Sequence, residues 1–557
     1  MKILIHSILI GTASLFCGEI VQAQTEKDIY AGLEFTMAKV AEPVFPSYSV
    51  SIKEFGAVSD GTTVNTKAFA DAINAVANKG GGKVIIPRGI WLTGPIVLKS
   101  NINLHAEAGA FIIFSKNMED YPLLETSFEG LSTMRCQSPI YGKELENIAI
   151  TGAGIFDGSG EAWRPVKKSK LTSDEWKKLV ASGGLLNEAG NTWYPSEKSL
   201  KGAKLTGNFN VPSLKTKEDL ESVKDFLRPV MVSIVQCKNV LLDGPTFQNS
   251  PAWCLHPLMS EEVTIRNLTI RNPWYSQNGD GLDLESCRNV VIQNCSFDVG
   301  DDAICFKSGK DQDGRDRAMP TENVIVDNCT VYHGHGGFVV GSEMSGGVKN
   351  VHVSNCTFIG TDVGLRFKST RGRGGVVENI YVSAINMVNI PGEALLFDLY
   401  YSGNSPVPTA EEKMQDKEKQ ASLVPAVTEE TPSFRAIFIK NVTCKGAGRA
   451  AFLQGLPEMN LKNIHLNTVH IEAVSGMEMI DSDGIQLEDV YISTTKGAAI
   501  QMKNVKNSSV SHFKYQSDEG VTIAGSSTTN VSFKKSDFKE SQIKVGTEVN
   551  KKSIVIK

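Results

Sequence analysis

The sequence lacks the long apolar segments of a membrane protein. After residue 25, no hydrophobic run is long enough to span a bilayer. No Cys-x-x-Cys pair occurs among the ten cysteines, so a zinc site is not indicated, and we predict no metal and no cofactor. The formal charge is −5, from 57 basic and 62 acidic residues, which argues against nucleic acid as a partner.

The first residues are typical of an export signal. Lys2 precedes an apolar run, and Val21-Gln22-Ala23 supplies small residues at a cleavage point. We therefore expect a signal peptide over residues 1–23, removed from an exported, periplasmic or extracellular protein. Cys17 raises the alternative of a lipoprotein, but the bulky Phe16 before it argues against that processing. Residues 24–49 would then form an N-terminal extension.

Short apolar stretches in the middle of the chain align with one another. Four superimpose without gaps and start at Gly281, Ala303, Gly337 and Gly364, and stretches at 252–256 and 394–398 fit less tightly. Because side chains alternate along a strand, one face is apolar and forms the core. The opposite face, which we expect to be exposed, carries Asp283, Glu285, Cys305, Lys307, Arg366, Lys368 and His256.

A second set of strands supports this stacking. Strands that begin with Val263, Val290, Val324 and Val351 each reach an asparagine four residues on, namely Asn267, Asn294, Asn328 and Asn355. Asparagine tolerates the left-handed conformation of a sharp turn. Starts about 30 residues apart with one turn chemistry indicate a solenoid. Since several short strands fill each coil without a helical pattern, we predict an all-β parallel β-helix.

The ends and the continuity of the solenoid can also be predicted. Thr66 to Ala77 has apolar residues at helical spacing and is followed by Gly80-Gly81-Gly82, which predicts a helix that caps the N-terminal end. We expect one long domain over residues 50–557, with an insertion at about 159–228. Cys295, Cys329 and Cys356 occupy one position of successive coils, which favours stacked buried thiols over disulfides.

Four short motifs precede or lie within the aligned stretches. They are Asn278-Gly279-Asp280, Gly300-Asp301-Asp302, Gly334-His335-Gly336 and Arg366-Phe367-Lys368. If the stretches stack in register, three carboxylates, one imidazole and two cations converge. Carboxylates that close cannot all ionise easily, so one should hold its proton near neutral pH. Such a set of groups is suited to acid/base cleavage of a glycosidic bond in an acidic sugar.

The motif residues also have purely structural interpretations, and two of them conflict with strand alternation. Asp and Gly beside a strand are commonly turn formers, and Arg366 and Lys368 could each be an ordinary surface cation. Strand alternation, counted back from the core residues, would also direct Asp280 and Asp302 inward. We therefore expect a turn or bulge at Gly281 and Ala303 to re-aim them.

In these motifs the chain resembles the polygalacturonase family, glycoside hydrolase family 28. The family's Asn-x-Asp, Asp-Asp, Gly-His-Gly and Arg-x-Lys motifs all occur in order, and the stretch 55–61 resembles the family's opening. One departure is Gly279, where the family more often has Thr. The resemblance implies a right-handed parallel β-helix that hydrolyses α-1,4-linked galacturonic acid with inversion of the anomeric centre.

The resemblance also implies roles for single residues. Asp301 would be the general acid, Asp280 and Asp302 would activate the attacking water, and His335 would hold the proton state of the acid. The residues expected to bind substrate are Asn278, Arg366, Lys368, Lys307, His256 and either Tyr400 or Tyr401.

The insertion at about 159–228 bears on the substrate. It combines Lys and Arg residues with Trp163, Trp176, Trp193 and Tyr194, and aromatic rings with cations suit an acidic polysaccharide such as pectin or polygalacturonate. The insertion could also close one end of the cleft and force cleavage from a chain end. The run from Lys307 to Arg315 resembles the exo-acting bacterial members of the family. We expect a monomer.

Three alternatives stay open. One is a calcium-dependent pectate lyase on the same fold, which would use an arginine base. Another is a non-catalytic carbohydrate-binding β-helix. The third lies within the family and is a hydrolase of rhamnogalacturonan or xylogalacturonan.

Overall fold

Three stacks of parallel strands form the body of the protein. The structure is a computed structural model that describes residues 28–208, 210–401 and 424–556. The predicted signal peptide and Cys17 lie outside the described residues. The pairing register assigns nearly every strand to one of the stacks, whose strands follow one another along the axis as the chain winds.

The first stack, called here the cleft sheet, carries the predicted motifs. Its separate strands are Ile96–Val97, Ile140–Lys143, Val232–Val235, Leu255–Leu258, Leu282–Glu285, Ile304–Lys307, Gly336–Val340, Val363–Lys368, Glu519–Ala524 and Ile543–Val545. The second stack contains Ser49–Ser51, Gly82–Ile86, Ile102–Ala106, Glu146–Gly152, Lys238–Asp243, Glu261–Arg266, Arg288–Gln293, Thr321–Asp327, Val348–Ser354, Thr529–Lys534 and Ile554–Ile556.

The third stack and four long strands complete the solenoid. The third stack contains Asp60–Val64, Gly89–Thr93, Ala110–Phe114, Ile155–Asp157, Thr246–Gln248, Thr269–Arg271, Ser296–Asp298, Thr330–Val331, Thr357–Ile359 and Lys514–Gln516. The long strands are Val376–Asp398, Ser433–Gln454, Leu461–Asp483 and Gln486–Ser511, and each passes through all three stacks.

Several short elements lie outside the stacks. Antiparallel pairs are formed by Leu123–Phe128 with Leu131–Cys136, by Thr192–Tyr194 with Val166–Lys167 and Leu185–Leu186, and by Thr206–Asn208 with Val211–Pro212. The α-helices are Thr66–Asn78, Ser173–Ala181, Glu197–Lys204, Lys217–Glu221 and Asp311–Arg317. Turns of 3₁₀-helix occur at Ile52–Phe55, Met118–Asp120, Gly160–Ala162, Lys168–Lys170, Lys224–Phe226, Glu540–Gln542 and Lys551–Ser553.

The predicted register of the cleft sheet is correct for its central strands. Leu282 pairs with Ile304, Ile304 with Phe338, and Phe338 with Leu365. The register predicted for 252–256 is wrong by two residues, because Leu255 pairs with Leu282 and not with Leu284. A shift of two keeps every side chain on its predicted face, so the apolar pattern could not detect it.

Asparagines occupy the left-handed turns between the second and third stacks. Asn267, Asn294, Asn328 and Asn355 all have φ between 53° and 58°. The Asn328 amide donates to Asn294 Oδ1 at 2.8 Å, and Asn294 in turn donates to Asn267 at 3.4 Å. A second ladder of this kind, not predicted from the sequence, lies on the other edge of the second stack and is formed by Asn289, Asn323, Asn350 and Asn379.

The interior is one continuous apolar core that runs the length of the solenoid. Cys295, Cys329 and Cys356 lie in it as buried free thiols, which agrees with the prediction. No helix within the described residues is long and apolar enough to cross a membrane. The fold class is therefore confirmed as an all-β parallel β-helix.

The predicted capping helix is confirmed as Thr66–Asn78. Its buried face packs Phe69, Ile73 and Val76 over the open end of the core. Gly82 follows with φ 141°, and a Cβ there would lie 2.1 Å from the Tyr48 carbonyl oxygen, so only glycine fits this close approach. The cap thereby removes an unpaired edge that would otherwise invite aggregation.

The asparagine ladder predicts the effect of one substitution. Asn328→Ala should lower the free energy of unfolding by about 1–2 kcal/mol, because alanine at positive φ brings Cβ too close to the backbone. The hydrogen bond to Asn294 is lost as well. Asn328→Gly removes the same bond but accepts the backbone conformation, so its loss should be smaller. Guanidinium unfolding midpoints of the three proteins measure this; equal losses for Ala and Gly would contradict the conformational cause.

Candidate active site

A break in strand alternation re-aims the carboxylates, as the sequence analysis expected. Ala303 and Ile304 are consecutive and both belong to the buried core. A Cβ at Gly281 would likewise lie 2.7 Å from the core ring of Phe297. Since two successive positions face inward at the start of each strand, the preceding Asp302 and Asp280 are turned to the outer side of the cleft sheet.

Three carboxyl groups meet there. One oxygen from each of Asp280, Asp301 and Asp302 lies within 4.8 Å of the others. Asp302 is held by two cations, with Lys368 Nζ at 2.6 Å and Arg366 Nη1 at 3.3 Å. By contrast, Asp280 Oδ1 is buried without a hydrogen-bond partner among the described residues. The cluster thus combines a tightly paired carboxylate, Asp302, with a carboxyl group, Asp280, that has one buried oxygen without a partner among the described residues.

The histidine of Gly334-His335-Gly336 contacts only one of these groups directly. His335 Nδ1 lies 3.1 Å from Asp301 Oδ1, and its Nε2 lies 3.8 Å from Asp362. The His335 backbone N–H also donates to the Asp301 carbonyl. Asp301 and His335 are the more open members of the cluster, with side chains 23% and 32% exposed. A ligand can therefore reach this pair.

The pKa of Asp280 is raised, whereas the pKa values of Asp301 and Asp302 are lowered. Burial, together with Asp283 and Asp301, raises the pKa of Asp280 well above its usual value. Burial alone would also raise the pKa values of Asp301 and Asp302, but nearby cations outweigh it. His335 lowers the pKa of Asp301, and Lys368 with Arg366 lowers that of Asp302. Asp301 in return raises the pKa of His335, against the effect of burial.

The expectation of an exposed strand face is wrong. Arg366 and Lys368 are only 4% and 6% exposed, and Lys307 is 4% exposed. Lys307 Nζ contacts Glu343 at 2.9 Å and Asp283 at 3.5 Å. Each of these cations contacts a carboxylate group of the protein. Burial does not decide whether they also bind substrate, and that role stays a prediction.

His256 lies in a separate ion network. Its side chain is 1% exposed, with Nε2 2.9 Å from Glu285 Oε2, and Glu285 also pairs with Arg317. The Trp253 ring packs edge-on against the imidazole and lies 4.8 Å below Lys307 Nζ. The expected exposure of His256 is therefore wrong, because Glu285 holds it inside the wall of the cleft.

Asn278 is held by side chains from distant parts of the chain. Its Oδ1 accepts from Arg228 Nη2 at 2.9 Å and from Asn210 Nδ2 at 3.0 Å. Its Nδ2 donates to Glu129 Oε1 at 3.3 Å. These contacts place the loop that ends at Asp280, so Asn278 has a positioning part in the structure beside its predicted contact with substrate.

A hairpin turn crosses the cleft next to this asparagine. Glu129 contacts Asn278 on one edge of the cleft sheet, and the carbonyl of Gly130 accepts from the Lys310 N–H at 3.0 Å on the other edge. Two residues of the insertion join it, since Lys310 Nζ donates to Asn208 and the Asn210 amide donates to Glu129. We call this group, consisting of Glu129, Gly130, Asn208 and Asn210, the bridge.

Neither the bridge nor the contact of Glu343 with Lys307 was predicted from the sequence. One local signal could have pointed to the turn, because Glu129-Gly130 separates two short segments as the loop of a two-residue hairpin does. The partners of Glu129 are far away in sequence and left no such signal.

The two adjacent tyrosines differ in place. The Tyr401 ring lies 4.9 Å from Lys368 Nζ and 5.7 Å from Arg366. Tyr400 is 3% exposed, belongs to the core and packs against Arg371. Of the two predicted alternatives, Tyr401 is the one beside the carboxylate cluster.

The chain matches known proteins over most of its length. Residues 167–418 match the family described as glycosyl hydrolases family 28. A solved structure, a hyperthermoactive exopolygalacturonase from Thermotoga maritima, is 32% identical, with 79% of this chain and 92% of that chain covered and a TM-score of 0.62. The chain belongs to glycosyl hydrolase family 28.

Two further relatives support this membership. A probable polygalacturonase of Vitis vinifera is 27% identical over 439 residues, which cover 77% of this chain and 75% of the relative. An exo-poly-alpha-D-galacturonosidase of Dickeya chrysanthemi is 30% identical over 369 residues, 64% of this chain and 58% of the relative. The protein is therefore a glycoside hydrolase with the fold of family 28.

The carboxylate cluster of this family 28 protein is poorly suited to calcium. Three oxygens within 4.8 Å of one another could contact a small cation. Calcium, however, takes six to eight oxygen ligands. Lys368 and Arg366 already neutralise Asp302, and the raised pKa of Asp280 favours its uncharged form. The donor set thus argues against a metal here on chemical grounds.

Proposed function

We propose that the protein hydrolyses the α-1,4 bonds of polygalacturonate from a chain end, with the Asp280–Asp301–Asp302 cluster as its catalytic centre. The close approach of the three carboxyl groups, with His335 on Asp301 alone, carries this proposal. The cluster provides a partly exposed proton donor next to a buried, ionised base, and glycoside hydrolysis needs such a general acid and general base.

Asp301 is the proposed general acid. In the free protein, His335 holds the pKa of Asp301 low, so the shared proton lies on the imidazole, 3.1 Å away. A bound galacturonate brings a negative charge and displaces water, and both effects raise the pKa of a nearby carboxyl group. The proton can then pass from His335 to Asp301 and on to the leaving oxygen as the bond to the anomeric carbon breaks.

Asp302 is the proposed base, with Asp280 as its uncharged partner. Oxygens of Asp280 and Asp302 that lie within 4.8 Å of each other can both reach one water molecule at about 2.8 Å, the ordinary length of an O–H···O hydrogen bond. One water molecule fits there. It would add its hydroxyl group to the anomeric carbon and give its proton to Asp302, while Asp280 donates a hydrogen bond that orients it.

The spacing of the acids differs from the expectation for this mechanism. An inverting pair usually has carboxyl groups about 6.5–9.5 Å apart, whereas here the nearest oxygens lie within 4.8 Å. Retention, however, needs a free carboxylate nucleophile. Asp302 is bound by Lys368 and Arg366, and burial favours the neutral form of Asp280. We therefore keep inversion as the proposed outcome.

The bridge supports cleavage from a chain end. It spans the cleft sheet from Asn278 to Lys310, over strands Leu282–Glu285 and Ile304–Lys307. A polymer that lies along the cleft would meet this obstacle beside Asp280. Tyr401, Arg366 and Lys368 lie on the other side of the cluster, where the remaining sugars and their carboxylates would bind.

Product analysis tests this function. The protein should release short saturated products from polygalacturonate at all times, while an elimination would give an absorbing double bond and an internal cleavage would give a ladder of sizes. Rhamnogalacturonan and xylogalacturonan, tested in parallel, should be cut more slowly. Asp301→Asn should reduce turnover by about 10²–10⁴-fold, since a general acid contributes that much.

A matched control lies at the end of the preceding strand, Ser296–Asp298. Asp298 pairs with His333 at 2.9 Å but is exposed and outside the cluster, so Asp298→Asn should keep turnover near that of the unchanged protein. If Asp301→Asn retained more than a tenth of the turnover, the acid role of Asp301 would be excluded.

Lys368 has a second testable effect. Because Lys368 lowers the pKa of Asp302, the base stays ionised at a lower pH than an ordinary buried carboxyl group would. Removing the charge in Lys368→Met should raise the pKa of Asp302 and move the acid limb of kcat/KM to higher pH. Lys201→Met, an exposed lysine of the insertion, should leave the limb in place.

An unchanged acid limb in Lys368→Met would argue against this pairing as the control of the base. The second role proposed for Lys368 is binding of the substrate carboxylate. Activity of Lys368→Met on free and on methyl-esterified substrate tests this role. A loss confined to the free acid would assign Lys368 to the substrate carboxylate.

A further inference from the structure

The turn of the bridge contains a residue that its backbone does not favour. Glu129 and Gly130 are the two loop residues of an antiparallel hairpin and have φ of 54° and 71°. A two-residue turn with both φ values positive prefers Asn-Gly or Asp-Gly. Glutamate tolerates positive φ less well than asparagine, so its presence needs a reason beyond the turn.

The side chain of Glu129 has one oxygen engaged and one available. Oε1 accepts from Asn210 at 3.2 Å and from Asn278 at 3.3 Å. Oε2 has no hydrogen-bond partner among the described residues, although Glu129 as a whole residue is only 9% exposed. An acceptor in this position can bind a hydroxyl donor without losing its present contacts.

The charges around Glu129 place it at the blocked end of the cleft. Burial raises its pKa, as does Glu343, while Lys307 and Lys310 lower it. Lys307 ends strand Ile304–Lys307 of the cleft sheet, while Lys310 and Glu343 lie in the segments that follow strands of this sheet. Glu129 supplies the carboxyl group of the bridge and lies beside the loop that ends at Asp280.

We propose that Glu129 is a specificity-determining residue that recognises the terminal hydroxyl group of a galacturonan chain. This rests on the proposed chain-end hydrolysis and names the group that selects the end. A terminal sugar offers an O–H that donates to Oε2. An internal sugar has a glycosidic oxygen there, which cannot donate, and the next galacturonate would bring its own carboxylate towards Glu129.

The proposal predicts a selective loss with Glu129→Asn. Asparagine suits the turn conformation, so the hairpin should keep its fold and its melting temperature. The shorter amide cannot reach the terminal hydroxyl group. KM for trigalacturonate should therefore rise about 10–100-fold, because the terminal hydroxyl group is left buried without a hydrogen-bond partner, with kcat much less affected. Glu125→Gln, an exposed carboxylate on the same hairpin, is the matched control.

Modified trimers identify the end that is read. One lacks the 4-hydroxyl group of its non-reducing end, as the unsaturated product of a lyase does, and the other is reduced at its reducing end. The unchanged protein should cut one of these two modified trimers poorly. The Glu129→Asn variant should cut that modified trimer and intact trigalacturonate equally well. The identity of the poor substrate then names the terminus.

Two results would overturn the assignment of Glu129. One is equal cleavage of all three trimers by the unchanged protein, and the other is full retention of its preference by Glu129→Asn. A protein that hydrolyses none of the trimers and no polygalacturonate would instead overturn the proposed function itself.

Discussion

The in-register stacking of the coils is the constraint on which the site depends. Neighbouring parallel strands lie about 4.8 Å apart, so a residue on one coil is placed against its equivalent on the next. The pairing of Leu282 with Ile304, continued to Phe338 and Leu365, brings four motifs from separate coils to one patch. A single-residue slip would send every charged group into the apolar core.

Charge pairing inside the covered cleft sets the protonation states. Two cations on Asp302 and one imidazole on Asp301 keep these groups ionised despite burial. Asp280 forms no ion pair with any residue that the structure describes, and its raised pKa favours the protonated form. Breaking one member of such a network leaves an unpaired buried charge, which is far more costly than the pair itself.

Much of this architecture follows from the sequence, because local patterns report it. The strand register, the asparagine turns and the convergence of Asp280, Asp301 and His335 were all predicted from repeats. The burial of Arg366 and the contacts of Glu129 were not, since they depend on segments that return from far away in the chain. Asn210, for example, reaches Asn278 from within an insertion whose fold has no repeat. The two-residue error in the register of the strand with His256 could not be detected for another reason. A shift by two residues leaves every side chain on the same face of the sheet.

The anomeric configuration of the first product tests the central claim most directly. Inversion requires a single attack by a water molecule held by Asp280 and Asp302, across the sugar from Asp301, although the oxygens of the three acids are closer than in most inverting enzymes. Proton NMR during early hydrolysis of polygalacturonate should show the β-anomer of the released sugar before mutarotation. The α-anomer as the first product would mean that a carboxylate attacks the sugar, and it would contradict the assignment of Asp302 as the base.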